Sequence, residues 1–260
     1  MQTKKLTERK LRKIYGFKQD SKGIIERFQN EEAGWSSHIQ NTKKTIISEA
    51  KDKNRNICMV LGSGWCIDVP LRELSEMFEK IILVDLIHPE YILHQAKKNK
   101  KIKIVSFDIS GVLNKLYEYK KNKIKNVKLT DFQRFNGVAG LFEEIMPDYV
   151  ISVNLLSQLA YFPSYFIEKH KLATFDESVK IKNKIEKTHL ESLPKNKSVL
   201  ITDFYEFEYN FKGDRIKEQK RLTIELPGEK IKEEWIWNFD MSGNYHTGNP
   251  VKFKVAVLQV

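Results

Sequence analysis

Cysteine is nearly absent from this sequence: Cys58 and Cys66 are its only two. They form neither a metal-ligand spacing nor a disulfide framework, which argues against a structural zinc site or a stapled fold and makes a reducing cytoplasm the expected compartment. The histidines offer no His-x-x-x-His pair, so no metal site is expected. No apolar run approaches the ~18 residues that span a bilayer, so no membrane partner is expected. The first residues, MQTKKLTERKLRK, are charged and lack the apolar core of a signal peptide. There is no Pro/Ser-rich linker, no internal repeat and no low-complexity tract beyond lysine richness. What remains is a chain of 260 residues with enough apolar and aromatic side chains for a normal core. It fits one α/β domain with an appendage, or two small domains.

The net charge of +11 raises nucleic acid as a partner. Two features count against it. The lysines are spread through Lys-, Ile- and Asn-rich sequence, and their densest cluster, Lys97, Lys98, Lys100, Lys101 and Lys103, reads as a solvated helix end. Arginine, the better reader of bases, is sparse. A nucleic-acid substrate stays open but is not favoured.

The most informative stretch is Ile57–Gly64, ICMVLGSG, an apolar run that stops at a Gly-Ser-Gly turn. Two further runs end in an acid, Ile81–Asp85 and Ile102–Asp108, and a fourth, Tyr149–Val153, ends at Asn154. Short β-branched runs of this kind read as buried parallel strands. Polar groups at their carboxyl ends face the crevice where open α/β sheets bind ligands. Helices are expected at about 69–79, 90–99 and through much of 164–193. Ser198–Asp203 gives a fifth strand. Two more, about Lys230–Phe239 and Val251–Val260, are joined by a polar hairpin tip that carries His246. Residues 1–50 read as a helical segment, with Trp35, Ile39 and Ile46 at helical spacing, packing as a lid or flank on an α/β domain of residues 51–260. The expected fold is a doubly wound, mostly parallel sheet.

This order of elements resembles the class I S-adenosylmethionine-dependent methyltransferases over about residues 35–260. The resemblance implies a seven-stranded sheet whose last strand runs antiparallel beside the fifth. It implies S-adenosylmethionine as cofactor, with Gly62, Ser63 and Gly64 passing under its methionine part. Asp85 would hold both ribose hydroxyls, and Asp108 would accept from the adenine amine beside Ile109. His88, close after Asp85, would lie near the adenosine half. A carboxylate suits a diol because its two oxygens accept two O–H bonds in one plane.

The glycine loop departs from the family pattern, acid-x-Gly-x-Gly-x-Gly. Val60 stands at the acid position and Cys66 at the third glycine. Asp68 is a candidate substitute for the missing acid, but reads first as the N-cap of the next helix. Asp108–Gly111 also reads as a plain turn. A dinucleotide is the rival ligand, but its fingerprint needs glycine where Ile67 stands, and Asp68 would repel a pyrophosphate.

The segment after the fourth strand should border the methyl acceptor. There Asn154, Ser157 and Gln158 can hydrogen-bond a neutral polar group, and each of the first two can also cap a helix. The stretch lacks the Asn/Asp-Pro-Pro-aromatic motif of amino-methylating nucleic-acid enzymes. A small-molecule or protein acceptor is therefore expected over DNA or RNA. His38, His88, His170, His189 and His246 are candidate bases, and Cys66 a candidate reactive thiol. Two other functions stay open: a methyltransferase-like partner protein without catalysis, and an RNA-binding enzyme or module. Oligomeric state is not legible.

Overall fold

The computed structural model describes residues 7–132, 136–245 and 248–260; His246 lies outside them. Three helices come first: α1 (Glu8–Tyr15), α2 (Phe17–Asn30) and α3 (Glu32–Ala50). Gly16 separates the first two in the left-handed conformation (φ 76°), which costs glycine little. Alternating units follow: β1 (Ile57–Leu61), α4 (Leu71–Met77), β2 (Lys80–Asp85), α5 (Glu90–Lys98), β3 (Ile102–Ser106), α6 (Leu113–Lys121), α7 (Ala139–Ile145) and β4 (Tyr149–Val153). The chain continues through α8 (Tyr161–Lys169), α9 (Phe175–Ser192), β5 (Ser198–Tyr209), β6 (Arg215–Lys220), β7 (Ile231–Asp240) and β8 (Val251–Gln259).

The sheet runs β3-β2-β1-β4-β5-β8-β7. Strands β1 to β5 are mutually parallel, and β8 runs antiparallel between β5 and β7. This is the class I methyltransferase topology expected from the sequence, with one addition. The outer half of β5 extends past the sheet and pairs antiparallel with β6, an eighth strand off the seven-strand path.

Alternation along β1 divides the core. Cys58 and Val60 face α3, α4 and α5; Met59 and Leu61 face α1, α6, α7, α8 and α9. Helices thus cover both faces, as a parallel sheet requires. Val60 is wholly buried in the first of these layers, where an ionised acid would be costly. The departure at that position therefore belongs to the core. Helix α3 lies very close to β7: a Cβ on Gly34 would stand 2.8 Å from the Asn238 carbonyl, and the Trp35 indole donates to the Phe239 carbonyl at 2.8 Å. Among the described residues no helix is long and apolar enough to cross a membrane.

Candidate active site

The carboxyl ends of β1 to β4 open into a cavity of about 590 Å³, within the range of small-molecule sites. Its floor is the turn after β1. Gly62 (φ 73°) lets this turn approach the end of β4, since a Cβ there would lie 2.9 Å from the Leu155 Cβ. Gly64 also has positive φ, and so does Cys66, at 52°, so the family's third glycine position keeps a left-handed backbone here without a glycine. Burial, with Asp68 and Asp85 alongside, pushes the Cys66 thiol far up. It stays protonated, which removes it as a nucleophile.

Asp85 ends β2 at the cavity floor. Its Oδ2 accepts from the Gly64 N–H at 2.9 Å and its Oδ1 from the Ile87 N–H at 3.2 Å. Desolvation outweighs these bonds and raises the carboxyl to about 6. Asp85 thus combines a fixed orientation with acceptor capacity toward the cavity. Ser63 lines the cavity floor with its neighbours, and its hydroxyl meets His88 Nε2 at 3.1 Å, both groups buried. His88 corrects the sequence expectation: it braces the glycine turn from behind and does not line the cavity.

Asp108 is a second correction. Its Oδ1 accepts from the Ser110 hydroxyl at 2.6 Å and the Gly111 N–H at 3.1 Å, and its Oδ2 from the Leu113 N–H at 3.0 Å. With three donors from its own turn the group has less left for a ligand than Asp85 has. Its role is to shape the turn that brings Phe107 and Ile109 to the cavity wall.

Asp68 does not cap the next helix. The residue at that cap is Pro70, with no side-chain cap bond. Instead the Asp68 Oδ2 accepts from the Asn154 side-chain Nδ2 at 2.5 Å. Asn154, at φ 47°, sits just past β4, and its Oδ1 is buried with no hydrogen-bond partner. His38, on α3, approaches the same pair: its Nε2 lies 3.0 Å from Asn154 Nδ2 and 3.8 Å from Asp68 Oδ2. Its Nδ1 accepts from the Trp235 indole N–H at 3.1 Å, and the ring stacks on Trp237 at 3.9 Å. With Nδ1 accepting, the neutral ring carries its hydrogen on Nε2, on the side of Asn154 and Asp68; both ring nitrogens are directed at protein groups, so His38 is not a base for an acceptor.

The other acceptor-side residues are also engaged. The Ser157 hydroxyl donates to Asp203 Oδ1 at 2.8 Å, and the Gln158 amide donates to the Asn154 carbonyl at 3.1 Å; both still line the cavity. Asp203 sits at a register shift in β5, and its Oδ2 receives Arg221, which follows β6 and also reaches Glu206 at 2.6 Å. The β6 insertion is tied to α9 where buried Glu186 accepts from the Thr223 N–H and hydroxyl at 2.7 and 2.6 Å. Arg221 and the aromatic wall around it were not singled out in the sequence. His170 and His189 lie away from the cavity: His170 ends α8, and His189 is buried in α9 with Nε2 2.8 Å from the Ser152 hydroxyl.

The roof is α2. Phe17, Ser21, Gly23, Ile24 and Arg27 face the cavity. The Trp65 indole donates to the Ser21 carbonyl at 2.7 Å, fastening α2 to the glycine turn. Phe17 packs on Phe162 at 3.8 Å between ring centres. The cover expected of the segment with Trp35 and His38 is therefore shared with the helix before it. Among the described residues, no group of three His, Cys, Asp or Glu could hold a metal ion.

No family model matches this sequence, and a search of curated proteins finds no match. Solved structures do match. The 1,6-didemethyltoxoflavin-N1-methyltransferase of Burkholderia thailandensis, with bound 1,6-didemethyltoxoflavin and S-adenosylhomocysteine, is 9% identical; the match covers 92% of this chain and 87% of that one, with a TM-score of 0.40. The DhpI–SAH complex is 9% identical, covering 92% of this chain and 95% of the other, at a TM-score of 0.36. A SAM-dependent methyltransferase from Aquifex aeolicus is 12% identical over 85% and 97% of the two chains, at 0.32. Similarity at this level adds no weight to the geometry of the chain's own residues.

Proposed function

We propose that this chain is an S-adenosylmethionine-dependent methyltransferase that acts on a small-molecule acceptor. The observation that carries the reading is the pairing of acids across one cavity. Asp85 lies fixed by Gly64 at the end of β2, and Asp68 joins Asn154 at the end of β4. Asp85 suits the ribose diol. Asp68 and the unpartnered Asn154 Oδ1 form an acceptor pair that suits the α-ammonium of the methionine part. Asp68 thereby supplies, from six residues after Gly62, the acid that Val60 does not. The adenine falls to the apolar edges of Leu86, Ile87, Phe107 and Ile109.

When bound, S-adenosylmethionine supplies an activated sulfonium methyl, so orientation and exclusion of water are the protein's main tasks. The glycine turn and Asp85 orient the cofactor; α2, with residues 1–50 acting as a cover on the domain of residues 51–260, keeps water out. Asn154, Ser157 and Gln158 edge the space where the acceptor lies. Such a roof favours a small molecule over a protein, RNA or DNA strand. Two free thiols suit a cytoplasmic setting. The alternative, a methyltransferase-like protein without catalysis, draws on Val60 in the core and Asp108 held in its turn.

The experiment is methyl incorporation from labelled S-adenosylmethionine into a metabolite extract, total protein, RNA and DNA. Label chiefly in the metabolite fraction is the expected result. Label chiefly in nucleic acid would overturn the acceptor class, and none anywhere, with cofactor bound, would favour the non-catalytic reading.

A further inference from the structure

The cavity is polarised. Among the described residues, its acids, Asp68, Asp85 and Asp108, lie at the strand ends, whereas its arginines, Arg27 and Arg221, lie toward the β7–β8 hairpin. The wall at that end is aromatic. Phe239 stacks on Phe253 at 4.2 Å between ring centres, Tyr245 meets Phe239 edge-on at 4.9 Å, and Trp237 meets Phe239 edge-on at 5.0 Å.

The two arginines differ in what balances them. Arg221 is neutralised by Asp203 and Glu206 and lies 4.0 Å over the Phe253 ring. Arg27 makes no ion pair with any described residue; its guanidinium rests over Tyr245 at 4.8 Å and Phe239 at 5.1 Å. A cation held against aromatic faces keeps its charge and all five donors for a ligand. The same wall holds a second uncommitted donor, the buried Trp237 indole N–H, which has no hydrogen-bond partner.

We infer that this end of the cavity binds a planar aromatic small molecule bearing a carboxylate, and that this is the methyl acceptor. The ring lies beside Arg27 at the cavity-facing edge of the Phe239–Tyr245 wall, and the carboxylate faces Arg27, whose fork matches it bidentately. The inference rests on the methyl-transfer reading for the word acceptor, but the anion site stands on the wall and Arg27 alone. It also explains the polarity: a cationic cofactor at the acidic end and an anionic acceptor at the basic end attract each other across the cavity. In the transfer, a lone pair on an acceptor atom other than the carboxylate bonds to the methyl carbon. The carbon–sulfur pair returns to sulfur, and the proton of the methylated atom leaves to solvent.

The test is calorimetric or saturation-transfer binding to the full chain without cofactor. The probes are 4-hydroxybenzoate and anthranilate, with cyclohexanecarboxylate and benzamide as controls that lack the ring or the charge. The aromatic carboxylates are expected to bind about tenfold or more tighter than either control. Arg27→Gln should remove that preference, Arg27→Lys should restore part of it, and both variants should melt near the wild type and keep S-adenosylhomocysteine affinity. Equal binding of all four probes would overturn the inference, as would an Arg27→Gln variant that keeps the preference. So would loss of stability and cofactor affinity together, because Arg27 would then only fasten α2. If the aromatic carboxylates bind as expected but S-adenosylhomocysteine does not bind the wild type, the methyl-transfer reading fails while the anion site stands.

Discussion

The Asp68 carboxylate receives the side-chain amide of Asn154 at 2.5 Å, joining the end of the glycine turn to the end of β4. This bond fixes an acid where the loop's own acid position, Val60, is buried in the core. Asp68→Ala should weaken S-adenosylhomocysteine binding about 10- to 100-fold, the roughly 1–3 kcal/mol of a charge-assisted bond. Asp68→Asn should fall between. Isothermal titration of both variants decides the point, and unchanged affinity in Asp68→Ala would place the ammonium elsewhere.

The roof can be loosened at one bond. Trp65→Phe keeps an aromatic ring, though a smaller one, and removes the hydrogen bond to the Ser21 carbonyl, a loss of about 1 kcal/mol for that bond. Limited proteolysis should then cut within α2 faster than in the wild type, and S-adenosylhomocysteine should slow the cutting. Equal cutting rates would show that α2 is held by its other contacts.

Deleting residues 1–30 goes further. It removes α2 from the cavity and takes Leu11 and Tyr15 out of the main core, where both are buried; Tyr15 also donates to the Leu113 carbonyl at 2.7 Å. Aromatic-to-small losses in a core cost about 3–5 kcal/mol each, so the truncated chain should melt well below the full chain and bind the cofactor poorly. Normal binding in the truncated chain would reduce α1 and α2 to a peripheral arm.

His189 sets a pH dependence. Burial lowers its imidazole to about 4, below the ordinary value of about 6.5. Between those values the unfolded chain binds the extra proton, so stability falls as pH falls from about 6.5 to 4. Asp85, raised to about 6, acts oppositely, adding stability as pH falls from about 6 toward the ordinary carboxyl value. A variant isolates the histidine. Between pH 7 and 5 the wild type should lose about 2 kcal/mol more in urea unfolding than His189→Gln, and parallel losses would show that His189 is not buried neutral.

The strand ends were legible because parallel strands announce themselves as short apolar runs with polar stops. Gly62, Gly64, Asp85 and Asn154 all came from that signal. Asp68 and Asp108 were ambiguous because a carboxylate near a helix start reads alike whether it caps, turns or binds. Only the loop's path shows Asp68 crossing to Asn154 and Asp108 folding back on Ser110. Strand β6 was missed because Arg215–Lys220 has one apolar residue, Ile216, and is largely exposed. The turn Asn210-Phe-Lys-Gly-Asp before it was the available sign. The placement of Arg27 over Tyr245 joins residues more than two hundred positions apart, which no local pattern encodes.

Calorimetric titration of the full chain with S-adenosylhomocysteine, beside Asp85→Ala and beside NAD, tests the central claim most directly. The account predicts saturable binding by the wild type, roughly 10- to 100-fold weaker binding by Asp85→Ala through loss of charge-assisted bonds to the ribose, and no binding of NAD. It also predicts that wild-type affinity declines as pH falls below about 6, because the carboxylate must be ionised to accept both ribose hydroxyls. No binding at millimolar S-adenosylhomocysteine, or equal affinity in a folded Asp85→Ala, would contradict it.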